Sequence, residues 1–144
     1  MRLLVSACLL GAGCRYDGKS NPIPQAARLL DTHTCVPVCP EQLGGLPTPR
    51  CPAERRGDRV VNREGKDVTA AFLRGAEEAA RLAELCGCQA ALLKERSPSC
   101  GCGRIYDGTF TGTLTAGDGV AAGLLRERGL PVYGESQVDG LLYL

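Results

Sequence analysis

Leu92-Leu93-Lys94-Glu95-Arg96-Ser97-Pro98-Ser99-Cys100-Gly101-Cys102-Gly103 runs on through Arg104-Ile105-Tyr106-Asp107-Gly108-Thr109-Phe110-Thr111-Gly112. An apolar run, Ala90 to Leu93, empties at once into a Ser/Pro/Gly/Cys loop. An α/β sheet mounts a site in this way: the buried strand supplies rigidity, and the loop at its carboxyl end supplies ligands. Pro98 stiffens the loop, and the glycines let backbone approach whatever the cysteine holds.

An earlier stretch echoes it. Leu3-Leu4-Val5-Ser6-Ala7-Cys8 is another apolar strand ending in Ser-x-Cys, and it too runs through glycines to a Tyr-Asp-Gly turn at Tyr16-Asp17-Gly18. Tyr-Asp-Gly is common turn chemistry. Each copy nevertheless follows a strand and carries its cysteine at the same point, so the expectation is two similar loops facing one site.

A chain of 144 residues is expected to be one domain with a real core. The formal charge of +1 offers neither a nucleic-acid platform nor a membrane surface. With no Trp, two Phe and four Tyr there is little to stack single strands on, so nucleic acid is an unexpected partner. The N-terminus superficially resembles a lipoprotein leader. Only Leu3 to Ala7 separates Arg2 from Cys8, however, shorter than the ~7–15 apolar residues of a secretory signal. The reading is a cytoplasmic protein with no membrane partner.

Nine cysteines form the outlier, and the odd number argues against a closed disulfide set. In a reducing compartment such a content points to metal or catalysis. No Cys-x-x-Cys pair occurs, and His33 is the only histidine, so a zinc knuckle lacks material.

Taken in order, Leu3 to Ser6 reads as a strand and Gln25 to Leu30 as a short helix behind Pro24. Thr34 to Val38 is a second strand, in which Pro37 suggests an edge or an irregular end. The Pro/Gly-rich run Leu43 to Pro52 cannot be regular structure and reads as a wall of the site. Val60-Val61 with a turn at Glu64-Gly65 suggests a small hairpin or excursion. Asp67-Val68-Thr69 offers caps for a helix over Ala70 to Leu85, whose apolar residues recur with helical period until Gly87 ends it. Asp118 is expected to cap a helix from Gly119 to Arg128, and Leu130 to Tyr133 is a last strand before a tail, Val138 to Leu144, that packs on the body. Alternating strands and helices predict a three-layer, Rossmann-like α/β domain: a mostly parallel sheet with helices on both faces. Ligands bind such a sheet beyond the carboxyl ends of its strands, where Cys8, Cys39 and Cys100 fall.

Ser6-Ala7-Cys8-Leu9-Leu10-Gly11, Cys14-Arg15-Tyr16-Asp17-Gly18, Cys39-Pro40-Glu41, Gly45-Leu46-Pro47-Thr48-Pro49-Arg50, Asp67-Val68-Thr69, Gly75-Ala76, Leu93-Lys94, Ser97-Pro98-Ser99-Cys100-Gly101 and Ile105-Tyr106-Asp107-Gly108 are specific in combination. Together they resemble the thiouracil desulfidase family, once known only as a domain of unknown function, over nearly the whole chain. The resemblance implies an oxygen-sensitive [4Fe–4S] cluster held by three cysteines, with the fourth iron open. It implies non-redox removal of sulfur from thiolated uracil as hydrogen sulfide. Family members that act on thiolated tRNA carry a further domain; without one here, the expected substrate is a small thiolated base or nucleotide, such as thiouracil or 4-thiouridine monophosphate. Cys51 departs from the pattern, standing where proline is usual.

Soft thiolates are the natural ligands of iron–sulfur clusters, and an iron free of protein is an open Lewis-acid site. Cys8, Cys39 and Cys100 are the expected ligands, with Cys14 the main rival and Cys102 a lesser one. Cys35, Cys86 and Cys88 are expected to be small buried hydrophobes. Glu41, two residues from Cys39, can activate a water; its alternative is a surface carboxylate or an ion pair with Arg50. Ser97, ahead of Ser99, can relay a proton, although a Ser-Pro-Ser loop also uses hydroxyls for its turn. Arg15, Arg50, Lys94 and Arg104 are candidate substrate-binding cations, or solvated surface. A thiol redox or zinc-binding protein is the alternative function. A nucleotide-binding module is a third, against which stands the lack of a Gly-x-Gly-x-x-Gly or P-loop motif.

Overall fold

The computed structural model describes residues 1–143. The chain forms β1 (Arg2–Ser6), α1 (Ala26–Thr32), β2 (Thr34–Val38) and the single-turn α2 (Pro40–Leu43). A hairpin follows, β3 (Ala53–Arg56) with β4 (Arg59–Asn62), then the long helix α3 (Thr69–Leu85) and β5 (Ala90–Leu93). A second hairpin, β6 (Arg104–Tyr106) with β7 (Leu114–Ala116), leads to α4 (Val120–Glu127), β8 (Val132–Gly134) and α5 (Val138–Leu142).

Four strands pair in parallel in the order β2-β1-β5-β8. Period-two alternation divides their side chains between two cores. Leu3, Val5 and Leu92 point to one side, where Leu29 of α1 and Val138 and Leu141 of α5 cover them. Leu4, Ala91 and Leu93 point to the other, against Ala79, Ala80 and Ala83 of α3 and Leu125 of α4. The layers are those the sequence predicts. Pro37 sits opposite Val5 on the edge strand β2, where a missing N–H leaves no ladder bond open. His33, also buried, lies within 3.0 Å of Leu141 O through Nε2 and so helps hold α5 on the body. Leu144 lies outside the described residues. Among those residues, no helix is long and apolar enough to cross a membrane.

Helix α3 buries Phe72, Gly75, Ala76, Ala79, Ala80 and Ala83, a stripe of small residues at helical spacing. Its glycine is a necessity of packing. A Cβ on Gly75 would stand 1.8 Å from the carbonyl oxygen of Pro40, and one on Gly44 would stand 2.0 Å from that of Ala71. Helices α2 and α3 therefore touch backbone to backbone, which fixes the segment that begins at Cys39.

Local expectations are refined. The turn at Glu64-Gly65, closed by Asn62, does fold the chain back, with Val61 bridging antiparallel to Asp67, while the hairpin of β3 with β4 turns at Gly57-Asp58. Asp67 closes an Asx turn on the Thr69 N–H, and no side chain caps α3. Asp118 does not cap α4 either. Its carboxylate takes the Gly103 N–H at 2.8 Å and Arg126 at 3.1 Å. The first N–H groups of α4 go instead to the carbonyls of Pro98 and Ser99, at 2.9 to 3.1 Å. The helix thus holds the cysteine loop by its backbone.

Candidate active site

The sheet has a topological switch between β1 and β5, since the chain leaves β1 toward β2 on one side and later returns to the other. A crevice opens there. The backbone N–H of Lys94, just past β5, donates to Ser6 Oγ at the end of β1 at 2.9 Å, which locks the floor. Because β2, β1 and β5 are neighbours, Cys39, Cys8 and Cys100 come over one edge of the sheet. Cys8 follows β1 on a 3-10 turn, Cys39 caps α2, and Cys100 closes the loop after β5. That loop is folded by Ser97, whose hydroxyl accepts the N–H of Ser99 at 3.1 Å and of Cys100 at 3.0 Å.

All three cysteines border a cavity of about 690 Å³, and so does Cys14. Tyr16 and Tyr106, from the two Tyr-Asp-Gly turns, border it as well, so the echoed loops do face one site. The Pro-rich segment contributes Arg50 and Pro52 to its wall.

A hydrogen-bonded chain crosses the cavity floor. Arg50 Nε donates to Glu41 Oε1 at 2.9 Å, and Ser99 Oγ donates to Glu41 Oε2 at 2.9 Å. Ser97 Oγ lies 3.0 Å from Ser99 Oγ, and Ser99 Oγ lies 3.5 Å from Cys100 Sγ. The Ser99 hydroxyl has one proton and two acceptors in reach, a carboxylate and a sulfur. It can hand that proton only one way at a time.

The thiols perturb one another. The Cys14 thiol is hydrogen-bonded to Cys8 and Cys39, and it keeps its proton, held first by the bond to Cys39. The same bonds lower its neighbours: Cys39 falls to about 6 and Cys8 falls as well, in both cases against the opposing pull of burial. Cys100 goes the other way. Burial pushes it up to about 12, over the opposition of Ser6 and Ser99. The donors suit an iron–sulfur cluster, which takes soft thiolates in a dry setting. Among the described residues, no three His, Cys, Asp or Glu side chains converge as a single ion needs.

The cations expected to hold substrate are mostly engaged. Arg50 also reaches the carbonyl of Cys14 at 2.9 Å and is a structural brace, its side chain only 6% exposed. Lys94 pairs with Glu135 at 2.7 Å, and Arg15 bonds Asn21 at 2.9 Å and Asp17 at 3.2 Å. All three border the cavity. Arg104 does not: it opens β6 and lines a separate depression with Cys102 and Leu114. Cys35, Cys86 and Cys88 are half-buried, not fully buried as expected, and lie away from the cavity. Sequence reading misses Glu54, Arg63, Phe110 and Glu135, all on the cavity wall. Glu54 and Phe110 belong to the hairpins, whose short polar strands carry no strong period.

A family model for 2-thiouracil desulfurase matches residues 3–137. The uncharacterized protein YbbK of Bacillus subtilis (strain 168) is 40% identical over 150 residues, covering 97% of this chain and 99% of its own. The solved structure of the [4Fe-4S]-dependent thiouracil desulfidase TudS superposes with a TM-score of 0.93 at 51% identity, over 97% of this chain and 94% of that one. A match over nearly the full length, on a fold whose strand ends gather these thiols, leaves one conclusion: this chain belongs to the 2-thiouracil desulfurase family.

Proposed function

We propose that this protein is a thiouracil desulfidase. It replaces the sulfur of a small thiolated uracil, as free base or nucleotide, with oxygen from water and releases hydrogen sulfide. The carbon–oxygen bond forms, the carbon–sulfur bond breaks, and both protons of water leave on sulfur, so no electrons are gained or lost. Cys8, Cys39 and Cys100 hold a [4Fe–4S] cluster in this reading, supported by their convergence from three adjacent strand ends. When bound there, the cluster supplies a soft Lewis acid for the thiocarbonyl sulfur. Cys14 is the protonated neighbour of two ligands and not itself a ligand.

Glu41 is the base. Arg50 fixes one of its oxygens, and the other is shared with the Ser99 hydroxyl. The carboxylate takes a proton from the attacking water; Ser99, backed by Ser97, carries it toward the departing sulfur. The single observation that carries this reading is Ser99 Oγ, which touches both Glu41 Oε2 and Cys100 Sγ. One hydroxyl links the proton acceptor to a cluster thiolate. The nine free thiols suit a reducing, cytoplasmic setting.

Anaerobically purified protein is expected to contain iron and sulfide, to absorb near ~400 nm as thiolate-bound clusters do, and to release sulfide from 2-thiouracil. Zinc in place of iron, with no sulfide released, would overturn the reading.

A further inference from the structure

Among the described residues, two that are not glycine adopt a left-handed backbone: Arg96 at φ 67° and Phe110 at φ 59°. Both border the cavity that gathers the thiols. For a bulky aromatic this is a true outlier, and such strain persists where surrounding structure over-determines it, most often at a working site.

What holds Phe110 is visible. Glu54 Oε1 accepts the N–H of Gly108 at 3.0 Å and of Phe110 at 3.1 Å. Glu54 lies on β3 and is 9% exposed, so a buried carboxylate of one hairpin pins the loop of the other. Asp107, Thr109, Thr111 and Thr113 form a ladder of hydroxyl contacts of 2.6 to 2.8 Å along the same loop. Arg63 sets its guanidinium carbon 5.6 Å from the ring centroid. The ring is not spent on the core. The chain's other phenylalanine, Phe72, is 1% exposed and packed in the interior, whereas Phe110 is half-buried and in neither core cluster.

We propose that Phe110 reads the ring of the substrate by stacking on it, and that Glu54 is the positioning residue that holds Phe110 in place. The pyrimidine identity of that ring rests on the desulfidase reading; the stacking itself requires no turnover. A stacked face selects flat, aromatic thiocarbonyl compounds over puckered or acyclic ones that present the same polar edges. Strain is tolerated because a side chain fixed in advance loses little freedom on binding.

The test compares uracil with 5,6-dihydrouracil, measured by calorimetry on the anaerobic, cluster-loaded protein. The two share their carbonyl and N–H edges, but the second has lost aromaticity. Base–aromatic stacking corresponds to about 5- to 150-fold in affinity, and the wild-type protein is expected to prefer uracil within that range. Phe110→Leu should bring the preference to within about threefold of unity, and Phe110→Tyr should keep it. Glu54→Ala should erode it, and Glu54→Gln, which retains an acceptor of the same shape, should restore most of it. With 2-thiouracil, Phe110→Leu should raise KM by a larger factor than it lowers kcat. A wild-type protein that binds the two rings alike, or a Phe110→Leu variant with the wild-type ratio, overturns the proposal. The ratio is insensitive to a partly unfolded sample. Sulfide release by the wild type alongside an unchanged ratio in Phe110→Leu would sink the stacking alone. A Phe110-dependent ring preference without sulfide release would sink the desulfidase reading alone.

Discussion

Arg50 Nε sits 2.9 Å from Glu41 Oε1 in an ion pair whose two side chains keep only 6% and 15% of their exposure. Removing one partner of a buried pair leaves the other charge uncompensated, at about 3–5 kcal/mol. Arg50 also closes the Pro-rich loop onto the carbonyls of Pro47 and Cys14. Arg50→Ala is therefore expected to lower stability by roughly that amount, read as a reduced denaturation midpoint, and to lose activity with it. Arg50→Lys keeps charge without the planar fork and should fall between the two.

Glu41→Gln preserves shape and can still accept from Arg50, but its amide nitrogen cannot accept from the Ser99 hydroxyl and the basic oxygen is gone. Cluster absorption should be retained, and turnover should fall by roughly 10²–10⁴. Ser99→Ala removes the hydroxyl between carboxylate and sulfur and should also slow turnover with the cluster in place. Near-normal sulfide release from Glu41→Gln would make that carboxylate structural.

Iron content assigns the ligands. Cys8→Ala, Cys39→Ala and Cys100→Ala should each lose iron and activity, whereas Cys86→Ala and Cys88→Ala, away from the cavity, should retain both. Cys14→Ala stripping the cluster while Cys39→Ala spares it would reverse the assignment.

The thiols of cluster-free protein should also differ in their pH dependence. Cys39, lowered to about 6 by the bond from Cys14, is mostly thiolate at neutral pH. Its alkylation rate should climb through that pH and level off above it. Cys100, raised to about 12 by burial, should stay unreactive over the same range. Cys14→Ala removes the donor, so the Cys39 curve should move to higher pH. Peptide mapping after brief iodoacetamide treatment reads all three.

Two helical glycines should answer alanine in opposite ways. A Cβ on Gly75 meets the Pro40 carbonyl at 1.8 Å, whereas one on Gly123 meets nothing nearer than Asp118 Cβ at 3.6 Å. Gly123→Ala should stabilise by about 0.5–1 kcal/mol, the usual helix gain. Gly75→Ala should instead destabilise by about 1–3 kcal/mol or more through overpacking. It should also impair activity, because the helix it displaces carries Glu41. Thermal melts of the two variants give the comparison.

Much of the framework was legible because it rests on strong patterns. The run Ala90 to Leu93 and the Pro-marked strand Thr34 to Val38 lie where expected, since a four-residue apolar run before a glycine-rich loop has few alternatives. The convergence of Cys8, Cys39 and Cys100 followed from those strands. The roof was not legible. Strand β3 reads Ala-Glu-Arg-Arg, with no apolar alternation, and Glu54 is buried only because a distant loop donates to it. The conformation of Phe110 has no signature, because a left-handed turn normally announces itself through glycine. Asp118 misled because its carboxylate has another employment, while backbone carbonyls cap the helix behind it.

The adjacency of β2, β1 and β5 also fixes an order of events in the life of the molecule. Their cysteines are distant along the chain and meet only through non-local pairing, which forms late because loop closure precedes its reward. A nascent chain offers a cluster donor isolated thiols; only the finished sheet offers the set. On the proposed ligand set, cluster assembly therefore follows folding of the sheet.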